Sequence, residues 1–311
     1  MEIRIRPLRR DEVPEADRIV RVAFGTFLGL PDPTQAFGDR DLAHSRYEAA
    51  PDAALAAETA GKLVGSNFVT NWGSFGFFGP LTVEPKLWEQ KVAQKLLEPT
   101  VEMFRKWGCR HTGLFTFSHS PKHVALYQKF GFWARFLTPV MSKQPIVSNG
   151  ASYSRFSRLN HNDKETVLSA CREATSKIYD GLDVSREIRA VDSQRLGDTI
   201  FLDRGSKVAA FAVCHVGSKT EAGSGACYVK FGAVAPVSGA QLDFERLLDC
   251  CEAFAASQNA TLVAGVNMSR QEAYRTMLGR GFRTDLIGVA MQQGNDPGYN
   301  RSGVYVLDDW R

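Results

Sequence analysis

The spacing of apolar residues changes along the chain, and each change marks a predicted element. IRIRP (3–7) alternates as a strand, whereas residues 11–27 carry apolar side chains at helical spacing. A loop broken by glycine and proline follows. Residues 53–70 then predict a strand, an Ala-Gly turn and a second strand, and FGFFGPLTVEP (75–85) predicts a third strand that ends at proline.

The next pattern is helical from Trp88 to Trp107, with Gly108 as a plausible C-cap. HTGLFTFS (111–118) predicts a strand, and Ser120 followed by proline predicts the start of another helix. WARFLTPVM (133–141) predicts a last strand. The predicted order is therefore β-α-(loop)-β-β-β-α-β-α-β.

The second half of the chain repeats the first at a shift of about 150 residues. Val-Glu-Pro at 83–85 corresponds to Val-Ala-Pro at 234–236, and the Leu-Leu pair at 96–97 corresponds to that at 247–248. Gly-Phe at 131–132 likewise corresponds to 281–282. A Pro/Gly/Ser-rich stretch after residue 144 separates the copies. We therefore predict a first domain at 1–144, a linker at 145–155 and a second domain at 156–311.

Composition agrees with two domains of an ordinary globular protein. The chain has 311 residues, of which 44% are hydrophobic and 23% charged. A formal net charge of +4 does not favour nucleic acid as a partner. Neither a signal peptide nor a membrane span is visible, and the six cysteines lack metal-ligand spacing. The expectation is a cytoplasmic protein with free thiols and no metal.

Two motifs, LTVEPKLWEQKVAQKLL (81–97) and SPKHVALYQKFGF (120–132), together with the element order, resemble the GCN5-related N-acetyltransferase (GNAT) family. The resemblance covers the first half well and the second half weakly. It implies an α/β (α+β) fold of two tandem GNAT-like domains, each a mixed central sheet flanked by helices. It also implies acetyl-CoA as co-substrate and a small-molecule or peptide amine as acceptor.

The first motif is the expected coenzyme site. A helix N-terminus presents free N–H groups and a positive dipole end, which suits a pyrophosphate. By resemblance, the backbone of residues 81–83 meets the pantetheine arm. Trp88 and Lys91 replace the family's Arg/Gln and glycine, and an alternative is that this turn is only solvated. The predicted cofactor-binding residues are Leu81, Thr82, Val83, Gln90, Lys91, Val92, Ala93, Gln94 and Ser120.

The second motif places Tyr127 four residues before Gly-Phe, as the family does with a tyrosine near the coenzyme sulfur. A phenol can donate a proton to the leaving thiolate at neutral pH. The alternative is a core aromatic of the helix. The base is open among Glu84, Ser118, His119 and water. The role of His123, which stands where the family often has alanine, is also open.

The second copy has Met277 where the first has Tyr127, and Asp243 near the corresponding helix start. Methionine cannot donate a proton, and aspartate repels a pyrophosphate, so a non-catalytic second domain is predicted. The sequence thus predicts an acyl-CoA-dependent N-acyltransferase that works by direct attack of the amine. A non-catalytic protein that binds acyl-CoA or a small ligand is the alternative, and an interaction module without coenzyme is a third.

Overall fold

The computed structural model describes residues 2–145, 151–204, 207–294 and 296–311. Residues 146–150 of the predicted linker lie outside this part of the chain. The linker's end is not wholly irregular, because residues 154 and 155 form a short strand.

The first half follows the predicted order, and its elements are β1 (Arg4–Pro7), α1 (Val13–Phe27), α2 (His44–Ala49), β2 (Ala54–Thr59), β3 (Lys62–Trp72), β4 (Phe75–Phe78), β5 (Thr82–Val83), α3 (Val92–Lys106), β6 (His111–Phe117), α4 (Pro121–Gln128) and β7 (Phe132–Lys143).

Three details of the first half differ from the prediction. Helix α2 lies inside the stretch without a predicted element. The third strand is broken into β4 and β5 around Gly79-Pro80, where proline supplies no N–H to a ladder. Helix α3 starts at Val92 rather than Trp88, because Pro85–Leu87 forms a 3-10 turn and Lys91 has a left-handed backbone.

The second half repeats this order through β8 (Ser154–Arg155), α5 (His161–Ile178), α6 (Ser185–Gln194), β9 (Gly197–Arg204), β10 (Lys207–Gly217), β11 (Gly223–Val234), α7 (Ala240–Ser257), β12 (Thr261–Gly265), α8 (Gln271–Gly279), β13 (Arg283–Gln293) and β14 (Val306–Leu307). The repeated Gly-Phe has the same local role twice. Gly131 and Gly281 have φ of 81° and 85°, which glycine adopts without strain. The phenylalanine after each glycine is buried.

The two halves exchange strands at the centre of one continuous sheet. Its order is β1-β2-β3-β4-β6-β13-β7-β12-β11-β10-β9-β8. Strand β13 of the second half lies between β6 and β7, and β7 of the first half lies between β13 and β12. The pairing of β7 with β13 is antiparallel and runs from Phe132↔Gln293 to Ser142↔Arg283. Each half thus completes the sheet of the other.

A shared apolar core also joins the halves. Trp72, Phe75 and Phe77 of the first half belong to the same buried cluster as Phe231 and Trp310 of the second. Trp72 contacts Phe231 edge-on, with ring centroids 5.1 Å apart. Burial of whole aromatic side chains at such a contact contributes several kcal/mol. The predicted division at residue 144 therefore separates two copies in sequence that share one core in space.

Candidate functional site

Two strands of the first half diverge and open a wedge. Strands β4 and β6 are paired in parallel only from Phe75↔His111 to Phe77↔Gly113. Beyond Phe78 the chain turns at Gly79-Pro80. Strand β5 then pairs with β3, as β4 does, but it is not paired with β6. Residues 81–83 and 114–117 consequently flank a gap, and two cavities meet there.

The larger cavity, here called the outer cleft, has a volume of about 570 Å³ and is lined by α1, β5, the turn before α3 and α4. Most of the predicted coenzyme residues line it. They are Leu81, Thr82, Val83, Lys91, Val92, Ala93, Gln94 and Ser120. Gln90 is exposed on the same turn and does not line the cleft.

Strand β5 presents backbone groups to the outer cleft. The Glu84 N–H donates to Val64 O of β3 at 2.9 Å, so the alternate residue, Val83, has its N–H and C=O on the opposite edge. The indole Nε1–H of Trp88 donates to Val83 O at 2.8 Å. Trp88 is therefore fixed against the strand by its ring nitrogen, which explains how a bulky residue fits this turn.

The turn before α3 has a strained backbone. Lys91 is the N-cap residue of α3 with φ of 62°, and Glu89 has φ of 68°. A left-handed conformation costs a non-glycine residue roughly 1–2 kcal/mol. The turn thus keeps, with lysine, the backbone shape that glycine takes without cost. Such strain is typical of ligand sites.

The N-terminus of α3 is open to an anion. No side chain of the described residues caps it, and no acidic residue stands in its first turn. Lys122 lies across the cleft, 3.1 Å from a Glu89 oxygen and 5.4 Å from the Trp88 ring centroid. Free N–H groups and lysines together suit a phosphate. In the second half, α7 starts after left-handed Gly239 but has buried Asp243 in its first turn.

Tyr127 lies where the outer cleft meets the second cavity, since it lines both. The residue is 7% exposed, and its ring contacts that of Phe78 edge-on, with the ring centroids 5.8 Å apart. Burial raises the pKa of the phenol well above 10, so the hydroxyl stays protonated at neutral pH. Within the described chain the hydroxyl has no hydrogen-bond partner. Tyr127 is therefore a core aromatic and also an available donor.

His123 also lines both cavities, and sequence reasoning gave it no role. It precedes Tyr127 by four residues on α4, so both side chains lie on one helix face. Its Nδ1 atom is buried without a partner among the described residues. Burial, followed by nearby Lys122, lowers the pKa of His123 and keeps the ring neutral. In the sequence, the feature that could have indicated His123 is its position four residues before Tyr127 on a predicted helix.

The base candidates taken from the sequence lie elsewhere. Glu84 pairs with Arg18, and Ser118 donates to Ile287 O at 3.1 Å. His119 is exposed, and its ring stacks on that of Phe27 with the ring centroids 6.0 Å apart. None of the three lines either cavity. His123, by contrast, lines both of them.

The smaller cavity, here called the inner pocket, has a volume of about 210 Å³ and lies between the halves. The first half contributes most of its lining residues, among them five phenylalanines that include Phe37 of the loop after α1. The second half contributes Glu221, Tyr228, Leu286, Trp310 and Arg311. The second copy therefore shapes the cavity beside Tyr127.

A buried ion pair links the halves at the inner pocket. Arg46 of α2 lies 2.8 Å from Glu221, which also accepts from Lys230 at 2.7 Å. All three side chains are less than 10% exposed. The two cations lower the pKa of Glu221 far below its usual range despite burial, so the carboxylate is ionised.

Three further features of the described residues concern metal ligands, membrane spans and thiols. No group of three His, Cys, Asp or Glu side chains there is arranged to hold a metal ion. The described helices include none that is long and apolar enough to cross a membrane. The cysteines are unpaired, and burial raises the pKa of Cys109 to about 11, which disfavours its thiolate.

A comparison with known protein families gives a match to part of the chain. Residues 24–132 match the family model described as Acetyltransferase (GNAT) family. No curated protein matches the sequence.

Solved structures resemble the whole chain. A putative acetyltransferase from Pyrococcus horikoshii has a TM-score of 0.67 at 15% identity, over 97% of this chain and 93% of that one. A GCN5-related N-acetyltransferase from Sphaerobacter thermophilus has a TM-score of 0.55 at 14% identity, over 95% of this chain and 96% of that one. A tandem GNAT protein from the clavulanic acid biosynthesis pathway has a TM-score of 0.54 at 14% identity, over 95% of this chain and 100% of that one. At such identities the likeness shows the fold.

Proposed function

We propose an acyl-CoA-dependent N-acyltransferase, because residues 24–132 match the acetyltransferase (GNAT) family model and the whole chain has the tandem GNAT fold. It would transfer an acetyl group from acetyl-CoA to an amine by direct attack. The observation that carries the proposal is the junction of the two cavities, where Tyr127 and His123 lie on one face of α4.

The outer cleft fits a nucleotide-bearing thioester. We assign the pyrophosphate to the open N-terminus of α3 with Lys91 and Lys122, and the pantetheine arm to the edge of β5 opposite β3, where the Trp88 indole donates to Val83 O. Bound there, acetyl-CoA supplies an activated acyl carbon. Ser120 caps α4 and so fixes the helix that carries the reacting side chains.

The side chains at the junction divide the proton transfers between them. Neutral His123 accepts the proton that the amine loses as it attacks. Tyr127 donates its proton to the departing thiolate, because burial keeps the phenol protonated. The cavities place amine and thioester in one confined space, which contributes most of the rate in a reaction of this kind.

The alternative function is a binding protein without turnover. Trp88 and Lys91 support it, because Trp88 already engages Val83 O and Lys91 adds a side chain to the phosphate turn. The two functions predict different products when acetyl-CoA meets an amine.

The deciding experiment is thiol release from acetyl-CoA with a panel of amines, together with calorimetric titration of coenzyme A. We expect thiol release that depends on the amine. Saturable coenzyme binding with no release for any amine would establish the binding protein instead. A flat titration with a folded sample would refute both and leave an interaction module.

A further inference from the structure

The inner pocket carries an unbalanced positive charge. Its lining includes three arginines, Arg40, Arg46 and Arg311, but one carboxylate, Glu221. Buried cations without counter-charges are costly, so the burial and the partners of each arginine decide whether it is available to a ligand.

Two of the three arginines have their partner in the chain. Arg46 pairs with Glu221 at 2.8 Å, and that carboxylate is already shared with a second cation. Arg311 donates to Asp309 at 3.0 Å and lies 4.6 Å from the centroid of the Tyr228 ring. Neither guanidinium therefore needs a ligand for its charge.

Arg40 has no such partner. Its Nε–H donates to the Ala222 backbone oxygen at 3.1 Å, but no carboxylate of the described residues forms an ion pair with it. The side chain is half-buried. Burial, and then the charge of Arg311, lower the pKa of Arg40, although Tyr228 and the neighbouring Asp39 act in the opposite direction. The terminal nitrogens of its guanidinium remain as donors for a ligand.

Much of the remaining lining is apolar. Phe37, Phe78, Phe115 and Leu286 belong to it, beside the polar Thr116 and Tyr228. At about 210 Å³ the pocket is smaller than the roughly 300–1,000 Å³ of sites for drug-sized ligands. It suits one compact apolar body.

We infer that the inner pocket selects, as acceptor, a small amine that carries a carboxylate on an apolar body, with Arg40 binding the carboxylate. The inference rests on the proposed acyl transfer. The amine reaches the junction at His123 and Tyr127, while the carboxylate lies against the guanidinium between the halves. A guanidinium and a carboxylate form paired, charge-assisted hydrogen bonds. Arg40 is then a specificity-determining residue.

Two matched pairs of amines test the carboxylate directly. One pair is 4-(aminomethyl)benzoate and 4-methylbenzylamine, and the other is L-phenylalanine and its amide. We expect kcat/KM for thiol release to favour the carboxylate by roughly ten- to hundredfold, the range of a hydrogen bond to a charged group. Equal or better turnover of the neutral amines would overturn the inference and leave the acyltransferase standing.

Variants assign the preference to one side chain. Arg40→Gln should bring the ratio within each pair close to one, chiefly through a higher KM for the carboxylate, and Arg40→Lys should keep part of it. Arg105→Gln on α3, an exposed arginine outside both cavities, is the matched control and should keep the ratio. A ratio that survives in a folded Arg40→Gln variant contradicts the assignment.

Calorimetric titration with 4-(aminomethyl)benzoate separates this inference from the proposed function. Binding that requires Arg40, without thiol release from any amine, would uphold the carboxylate site and refute the enzyme. Neither binding nor release would refute both. Circular dichroism checks folding, and if Arg40→Gln does not fold, the wild-type ratios and Arg40→Lys decide.

Discussion

Replacing Tyr127 by phenylalanine removes one oxygen from the junction and leaves the packing in place. The ring keeps its edge-on contact with Phe78, and the lost hydroxyl had no hydrogen-bond partner in the described chain. The hydroxyl oxygen is not among the fully enclosed polar atoms that lack a partner, and Tyr127 lines both cavities. Its removal should therefore change the free energy of unfolding by less than about 1 kcal/mol.

Catalysis should respond much more strongly. Loss of a general acid lowers turnover by about 10²–10⁴-fold, or roughly 3–5 kcal/mol of transition-state free energy. Coenzyme affinity should change little, because the contacts proposed for the pyrophosphate and the pantetheine arm lie on α3 and β5. The assays are thiol release, calorimetric titration of coenzyme A and urea unfolding.

Tyr47→Phe is the matched control. Tyr47 is also 7% exposed, but it lines neither the outer cleft nor the inner pocket. It should keep full turnover. If Tyr127→Phe turns over within about threefold of wild type, Tyr127 is only a core residue, since a general acid contributes at least about 10²-fold. A clear loss of unfolding free energy would show that its hydroxyl has a structural partner.

Three further predictions concern the site and the interface. Lys91→Gly should raise the free energy of unfolding, measured in urea, by about 0.5–1 kcal/mol, because relief of the left-handed strain exceeds the entropy cost of glycine. Lys91→Ala should bring no gain in the same assay. Glu221→Gln should cost about 3–5 kcal/mol in urea unfolding by leaving Arg46 buried and unpaired, while Glu165→Gln at an exposed pair should not change the midpoint. The lowered pKa of His123 means that kcat/KM should fall with acid only below the usual histidine range, and His123→Gln should abolish that limb in a pH profile of thiol release.

Local patterns were sufficient for most elements of the first half. The Ser-Pro start of α4 is seen as a Ser120 N-cap, and the Gly-Phe repeat corresponds to two left-handed glycines. Both depend on neighbours in sequence, which is why spacing alone revealed them. The break between β4 and β5 was missed, because Gly79-Pro80 inside an apolar run gave no sign of which partner each piece would find.

His123 shows the limit for the site. The sequence placed it four residues before Tyr127 on a predicted helix, but the bases considered were those at strand ends. Its neutral state and its position at the junction depend on burial by other elements, including Phe27 of α1 at 4.9 Å between ring centroids. Sequence spacing gives the shared face of α4 but not what that face meets.

By itself the sequence determined two copies of one fold, the strand–turn–helix of the predicted coenzyme site and the tyrosine of the first copy, because each is set by residues a few positions apart. Only the tertiary structure decided that β7 and β13 exchange places, and that Arg40 and Arg311 line the same inner pocket. Those contacts join residues far apart in the chain, and packing and charge compensation, rather than local conformation, select them.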